Sequence, residues 1–217
     1  MTADLFDSVS DMRPSREQMA DGAVLLRGFA RPIQHDLLRA LDEIASQAPF
    51  RHMSTPGGHP MSVAMTNCGS CGWITDVSGY RYDGNDPVSG QPWPAMPPVF
   101  RELAGRAATQ GGFPGFVPDA CLINRYEPGA RMSLHQDRDE AEFSAPIVSV
   151  SLGLPAIFLF GGLKRADRPA RYRLEHGDVV VWGGPSRLVF HGVAPLADGE
   201  HHLMGRQRIN LTFRKAR

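Results

Sequence analysis

From Asp119 onward the sequence breaks into short apolar runs divided by Gly, Pro and Asp turns, at 120–126, 133–136, 146–153, 156–161, 171–174, 178–182, 187–193 and 208–214. No stretch between them keeps the apolar period of a helix. Many short strands at regular spacing close into a sandwich or barrel, and eight of them suit a jelly roll. The half before Asp119 reads differently. Residues 1–21 show no clear period, and 23–27 read as a short strand. Ile33, Leu37, Leu38, Leu41, Ile44 and Ala45 then recur at helical spacing until Pro49. Pro97-Pro98 opens a second helix, with Val99, Phe100, Leu103 and Ala107 on its buried face and Gly111-Gly112 at its end. Between the helices, 51–95 is rich in Gly, Pro, Ser and Asn and carries Trp73, Tyr80, Tyr82 and Trp93. Short strands and long loops are expected there. The expected architecture is mainly β with flanking helices. A jelly-roll core spans 119–217, and an extension with two helices spans 1–118, the two making one compact unit.

Composition bounds the function classes. At 217 residues, 42% apolar and 21% charged, the chain has the make-up of a folded protein with a real core. Its 23 basic and 23 acidic residues cancel, which argues against coating nucleic acid by charge alone. Local basic clusters remain at 164–173 and 205–217, and a solvated surface is the ordinary reading of both. Cys68, Cys71 and Cys121 do not make a disulfide framework. The start lacks the pattern of a signal peptide, and no apolar run is long enough to span a bilayer. A reducing, cytoplasmic setting is expected.

The chemistry centres on His135-Gln136-Asp137 and a later His191. Residues two apart on a strand face the same way, so His135 and Asp137 converge and His191 can join them from another strand. Two imidazoles and a carboxylate on one face of a metal leave the other positions open, the arrangement of non-haem Fe(II) oxygenases. His-x-Asp alone is a weak signal, and His176-Gly177-Asp178 is a second instance. That one reads as a turn feeding 179–182, so the first pair is preferred. The last strand alternates Arg208, Asn210, Thr212 and Arg214 with Ile209, Leu211 and Phe213. One wet face is the ordinary explanation. Guanidinium forks on one face also suit a dicarboxylate. Leu122, Asn124 and Tyr126 share a face of an earlier strand in the same way.

Taken together, the stretches CLINRYEPGA, SLHQDRDE, PIVSVSLGLPAIFLFGG, EHGDVVVWGG, RLVFHGV and RINLTFR, with MSVAMTNCG and WPAMP before them, resemble the AlkB family of Fe(II)/2-oxoglutarate-dependent nucleic-acid demethylases. The likeness covers nearly everything after about residue 20 and is closest to the bacterial DNA-repair branch. It implies a double-stranded β-helix core with a nucleotide-recognition lid. It implies Fe(II) on His135, Asp137 and His191, with 2-oxoglutarate and O2 as co-substrates. Leu122, Asn124, Tyr126, Arg208, Asn210, Thr212 and Arg214 would surround 2-oxoglutarate. Trp73 would stack the flipped base against His135, and Asp139 would meet its exocyclic amine. Thr55, Met65, Tyr80, Tyr82, Arg131, Gln136 and Arg165 would complete the substrate surface. The implied reaction removes methyl groups from lesions such as 1-methyladenine and 3-methylcytosine, as formaldehyde. The partner would be alkylated DNA, single- or double-stranded, with RNA as a further candidate. Neither a membrane nor an obligate protein partner is implied. A related dioxygenase acting on a protein or small molecule would keep the same iron residues, so the lid must discriminate. A binding module without catalysis would not need open metal positions. Cys68-Gly69-Ser70-Cys71 lacks the second ligand pair of a zinc site and reads as two unrelated thiols.

Overall fold

The computed structural model describes residues 15–217. Its main body is an eight-stranded sheet facing a four-stranded one. The strands of the large sheet, in spatial order, are β1 (Arg16–Ala20), β2 (Ala23–Leu26), β12 (Val179–Trp182), β9 (Ile147–Gly153), β14 (Arg208–Arg214), β7 (Ala120–Tyr126), β4 (Pro60–Gly69) and β3 (Arg51–Ser54). The small sheet runs β11 (Ala170–Leu174), β10 (Ala156–Phe160), β13 (His191–Val193) and β8 (Met132–His135). A separate hairpin joins β5 (Gly72–Asp76) to β6 (Gly79–Asp83). Helices α1 (Gln34–Gln47) and α2 (Pro98–Gln110) cover the outer face of the large sheet.

Strand parity creates two cores. Ile209, Leu211 and Phe213 of β14 join Val148, Val150 and Leu152 of β9 beneath Phe100, Leu103 and Ala107 of α2. The opposite face looks into the space between the sheets, where Ile147, Phe158, Phe160, Val180 and Trp182 pack. Burying a large apolar side chain contributes roughly 1.5–3 kcal/mol, so both faces of the central strands are committed to a fixed register. β14 lies between β9 and β7 and pairs with each antiparallel, setting Asn210 opposite both Ser151 and Asn124.

The structure departs from sequence expectation in several places. β1 was not foreseen: it is an edge strand exposed or half-exposed along its length, so no alternation marks it. Within the loop-rich 51–95 lies the ten-residue β4, six of whose residues are consecutively buried because it has a partner on each side. The run 187–193 shortens to β13, preceded by a 3-10 turn at Gly184–Ser186. Arg208 and Arg214 of the C-terminal basic cluster are buried, which leaves Arg206, Lys215 and Arg217 as its exposed or half-exposed members. His176-Gly177-Asp178 is a turn, as expected. The Asp178 carboxylate accepts the backbone N–H of Gly28 and Glu175 and pairs with Arg27. The three cysteines are buried free thiols, Cys68 and Cys121 facing each other across β4 and β7. Among the described residues no helix is long and apolar enough to cross a membrane.

Candidate metal and co-substrate site

β8 ends at His135 and pairs with β13, where His135 lies opposite His191. That approach is close: a Cβ at Gly192 would stand 2.6 Å from the Met132 carbonyl oxygen, so a side chain there would push the two histidine-bearing strands apart. Asp137 follows two residues after His135, and one ligand atom from each of His135, Asp137 and His191 falls within 4.8 Å of the others. The carboxylate stands 3.5 Å from His135 Nε2 and 3.8 Å from His191 Nε2. Each imidazole turns its other nitrogen to a backbone carbonyl, His135 Nδ1 to Ser133 at 2.8 Å and His191 Nδ1 to Val189 at 3.0 Å. An imidazole that donates from Nδ1 keeps its Nε2 lone pair for a metal.

The electrostatics of Asp137 and His191 agree with a cation site, whereas at His135 burial is outweighed by the Asp137 carboxylate, which raises the pKa of that imidazole through a contact that a metal would displace. Burial would raise the pKa of Asp137, but the Arg214 guanidinium and the two histidines outweigh it and hold the carboxyl well below its usual range. Burial, reinforced by the neighbouring His135, lowers His191 to about 4. A permanently ionised carboxylate and a neutral imidazole are the states in which these groups bind metal.

Behind the triad opens a cavity lined by Leu122, Asn124, Tyr126, Arg208, Asn210, Thr212 and Arg214 together with His135 and His191. Every residue assigned to 2-oxoglutarate from the sequence therefore meets there. The wet face foreseen as the ordinary explanation of β14 is absent, since all seven of its residues are buried. Asn210 donates to Ser149 Oγ at 2.7 Å, and Thr212 donates to Asn210 Oδ1 at 2.8 Å. Arg208 is the exception. Its Nη2 donates to Ser151 Oγ at 3.0 Å and its guanidinium lies 5.0 Å over the Tyr126 ring. Its Nε and Nη1 are buried without a partner, as is Asn124 Oδ1. A buried, unpaired guanidinium is costly unless an anion meets it. A small dicarboxylate with one end on Arg208 and the other near the triad fits that demand.

Around this floor the structure places residues the sequence did not single out. Glu140 is buried between Arg187 and Arg214, 3.1 and 3.2 Å away. Arg214 also holds Asp137 Oδ2 through Nε at 3.0 Å and Nη2 at 2.7 Å. Ser149, Ser151, Phe158 and Trp182 complete the walls or the contacts behind them. Arg187 and Trp182 stand inside recognisable stretches, RLVFHGV and EHGDVVVWGG, but no periodicity singles them out.

The residues expected to face the base lie along one side. Trp73 on β5 and Tyr80 on β6 stack with centroids 5.6 Å apart. The indole Nε1 donates to Asp139 Oδ2 at 2.9 Å, and the Tyr82 hydroxyl donates to Glu140 Oε1 at 2.6 Å. Arg165 is exposed with its guanidinium 5.1 Å over Phe190, and Arg131 is exposed with its backbone tied to Ser62. Thr55 is half-buried in the turn between β3 and β4, where Gly58 and His59 donate to it. Three further residues expected at the substrate surface have partners within the protein. Met65 is fully buried inside the core opposite Asn124, the Gln136 amide donates to the Leu188 carbonyl at 2.6 Å, and Tyr82 is committed to Glu140.

The sequence profile of the 2OG-Fe(II) oxygenase superfamily matches residues 22–214, which takes in the triad and the whole of β14. The chain belongs to that superfamily, and its likeness to a bacterial AlkB over 98% of its length places it within the AlkB family. Alpha-ketoglutarate-dependent dioxygenase AlkB of Escherichia coli K12 is 59% identical over 98% of both chains. The tRNA demethylase abh1 of Schizosaccharomyces pombe is 32% identical over 67% of this chain and 52% of its own. Among solved structures, that of OsALKBH1 superposes with a TM-score of 0.80 at 30% identity, covering 93% of this chain and all of the other. Fe(II), 2-oxoglutarate and O2 are the cofactor and co-substrates of this superfamily. The donor set of two imidazoles and a carboxylate suits Fe(II), and the unpaired Arg208 suits 2-oxoglutarate.

Proposed function

We propose that this chain is an oxidative demethylase of alkylated nucleobases in nucleic acid, acting on lesions of the 1-methyladenine and 3-methylcytosine type. The observation that carries the substrate class is the stacked Trp73–Tyr80 pair, tied through Asp139 to the loop that bears Asp137. Enzymes that modify a base take it out of the stack and hold it between flat groups. A flat aromatic platform and a carboxylate beside a metal site answer a flat, positively charged methylated base. The similarity to a tRNA demethylase supports the same reading.

The geometry supports a role for each residue. His135, Asp137 and His191 would hold Fe(II), and Arg208 would take the far carboxylate of 2-oxoglutarate, with Asn124, Tyr126 and Asn210 beside it. Bound Fe(II) supplies the oxidising chemistry, in which 2-oxoglutarate and O2 give succinate and CO2 while the N-methyl carbon is hydroxylated. The hydroxymethyl group then leaves as formaldehyde and the ring nitrogen is restored. Trp73, backed by Tyr80, would stack on one face of the base, with His135 toward the other. Asp139 accepts from the exocyclic amine and favours the cationic ring. The apolar wall of Phe158 and Trp182 keeps bulk water from the co-substrate cavity. Arg165 and Arg131 are exposed cations suited to strand phosphates, where they add affinity without sequence preference.

Purified protein with Fe(II), ascorbate, 2-oxoglutarate and single-stranded DNA carrying 1-methyladenine is expected to release formaldehyde, with unmethylated DNA as control. Succinate without formaldehyde would leave the dioxygenase intact and favour a protein or small-molecule substrate.

A further inference from the structure

Arg187 has no role in the assignments above, yet it is buried and makes three hydrogen bonds to the segment that follows the first metal ligand. It sits just after the 3-10 turn and four residues before His191. Its Nη1 donates to the Asp137 backbone carbonyl at 2.7 Å, its Nη2 to Glu140 Oε2 at 3.1 Å and its Nε to the Ala145 carbonyl at 3.1 Å. The Phe143 ring covers the guanidinium at 5.2 Å. One rigid fork therefore touches four residues of the stretch 137–145, which carries Asp137, Asp139 and Glu140.

We propose that Arg187 is a positioning residue for the metal: it fixes the backbone of Asp137 relative to His191 so that the three ligand atoms converge. Asp137 lies beyond the end of β8, so no strand pairing holds its carbonyl. Arg187 supplies the missing constraint from the segment leading into His191, and thereby joins the two ligand-bearing parts of the chain. Glu140 passes the same constraint on, since its second oxygen meets Arg214 and Tyr82. Arg214 in turn grips the Asp137 carboxylate. The Asp137 main chain and side chain are thus set by two different arginines sharing one carboxylate. A lysine cannot substitute, because a single ammonium on a flexible stem does not reproduce the planar fork.

The test is a Co(II) titration of the full chain, without co-substrate or DNA, read through the cobalt ligand-field bands beside a melting curve of the metal-free protein. Arg187→Lys keeps the charge and most of the bulk. The expected result is a cooperative melt with Co(II) affinity weaker by about tenfold, the lower end of the usual effect of outer-shell changes, and shifted bands. The pair Arg187→Met with Glu140→Met removes the buried charges together, a change that folds commonly survive, and is expected to lose at least as much affinity. Wild-type affinity and unshifted bands in either folded variant would overturn the proposal, leaving Arg187 a stability element. Wild-type protein that takes up no Co(II) would remove the metal-site reading on which the proposal rests, and the proposal with it.

Discussion

β14 and the β5–β6 hairpin contribute to one site under opposite conditions. β14 is buried at all seven positions and hydrogen-bonded on both sides, so its polar face is held by the whole sheet. The hairpin is two strands alone, with Val77 and Tyr80 exposed and its register set only within itself. It is fastened to the rest by side chains: Trp73 to Asp139, Tyr82 to Glu140, the Asn67 amide to the Trp73 backbone, and the buried Ile74, so that β5 is the anchored strand and β6 the freer one. Two-stranded ribbons are marginal by themselves. The floor can therefore be rigid enough for metal and dicarboxylate chemistry while the hairpin yields to a bulky strand of nucleic acid.

The sharpest break of this contrast is Asp137→Asn, which keeps the shape and removes the charge. Demethylation is expected to fall by at least about a thousandfold, roughly 4 kcal/mol, while binding of a methylated oligonucleotide measured without iron stays close to wild type. A loss of both would mean that floor and hairpin are not separable. Next comes Arg208→Met. Its half-saturation for 2-oxoglutarate is expected to rise by about a hundredfold, the order of a buried charge pair, about 3 kcal/mol. The co-substrate-free variant is expected to melt at or above wild type, because it removes a guanidinium with two buried unpaired nitrogens. A lower melting point would show that the Ser151 and Tyr126 contacts already satisfy the group. Trp73→Ala addresses the other half. Affinity for methylated oligonucleotide is expected to drop by about 1–3 kcal/mol, with substrate-free succinate formation unchanged.

The smallest effect lies away from both regions. His176 accepts the Gly153 N–H at 2.9 Å and stacks on His201 at 4.5 Å. Burial, then the nearby His201, lowers it from 6.5 to about 4. Above pH 6.5 the ring is neutral in folded and unfolded chains and its contribution is complete. Between pH 6.5 and about 4 the unfolded chain takes up the proton first, so stability declines across that window. His176→Asn is expected to show a shallower loss of melting temperature over the same range.

What the sequence disclosed follows the same division. The polar parity of β14 was legible because a strand repeats every two residues, and the His135–Asp137 pair because its members lie close in sequence, although β8 ends at His135 and strand parity is not what brings Asp137 in. Helices α1 and α2 were legible from their apolar spacing. β1 was not, because an edge strand exposed along its length carries no pattern. β4 was obscured by the Pro, Gly and Ser around it. Glu140 and Arg187 were invisible as a pair, since they lie 47 residues apart and meet only through the tertiary fold. Tyr82 pointed to the substrate by its company of aromatics, whereas its hydroxyl is spent on Glu140.

The alternation in β14 has a consequence for how this gene can change. Its odd residues hold the helices and its even residues line the co-substrate cavity. A one-residue insertion or deletion inside the strand would exchange the two sets. Four polar groups would turn toward the helical layer and three large apolar ones into the cavity, so fold and activity would be lost in the same step. The tip of the β5–β6 hairpin has no such double duty. Lineages descending from this sequence are expected to keep the length of 208–214 fixed and to vary in length around 77–79, so that changes of substrate are written in one place and the oxidising site is inherited whole.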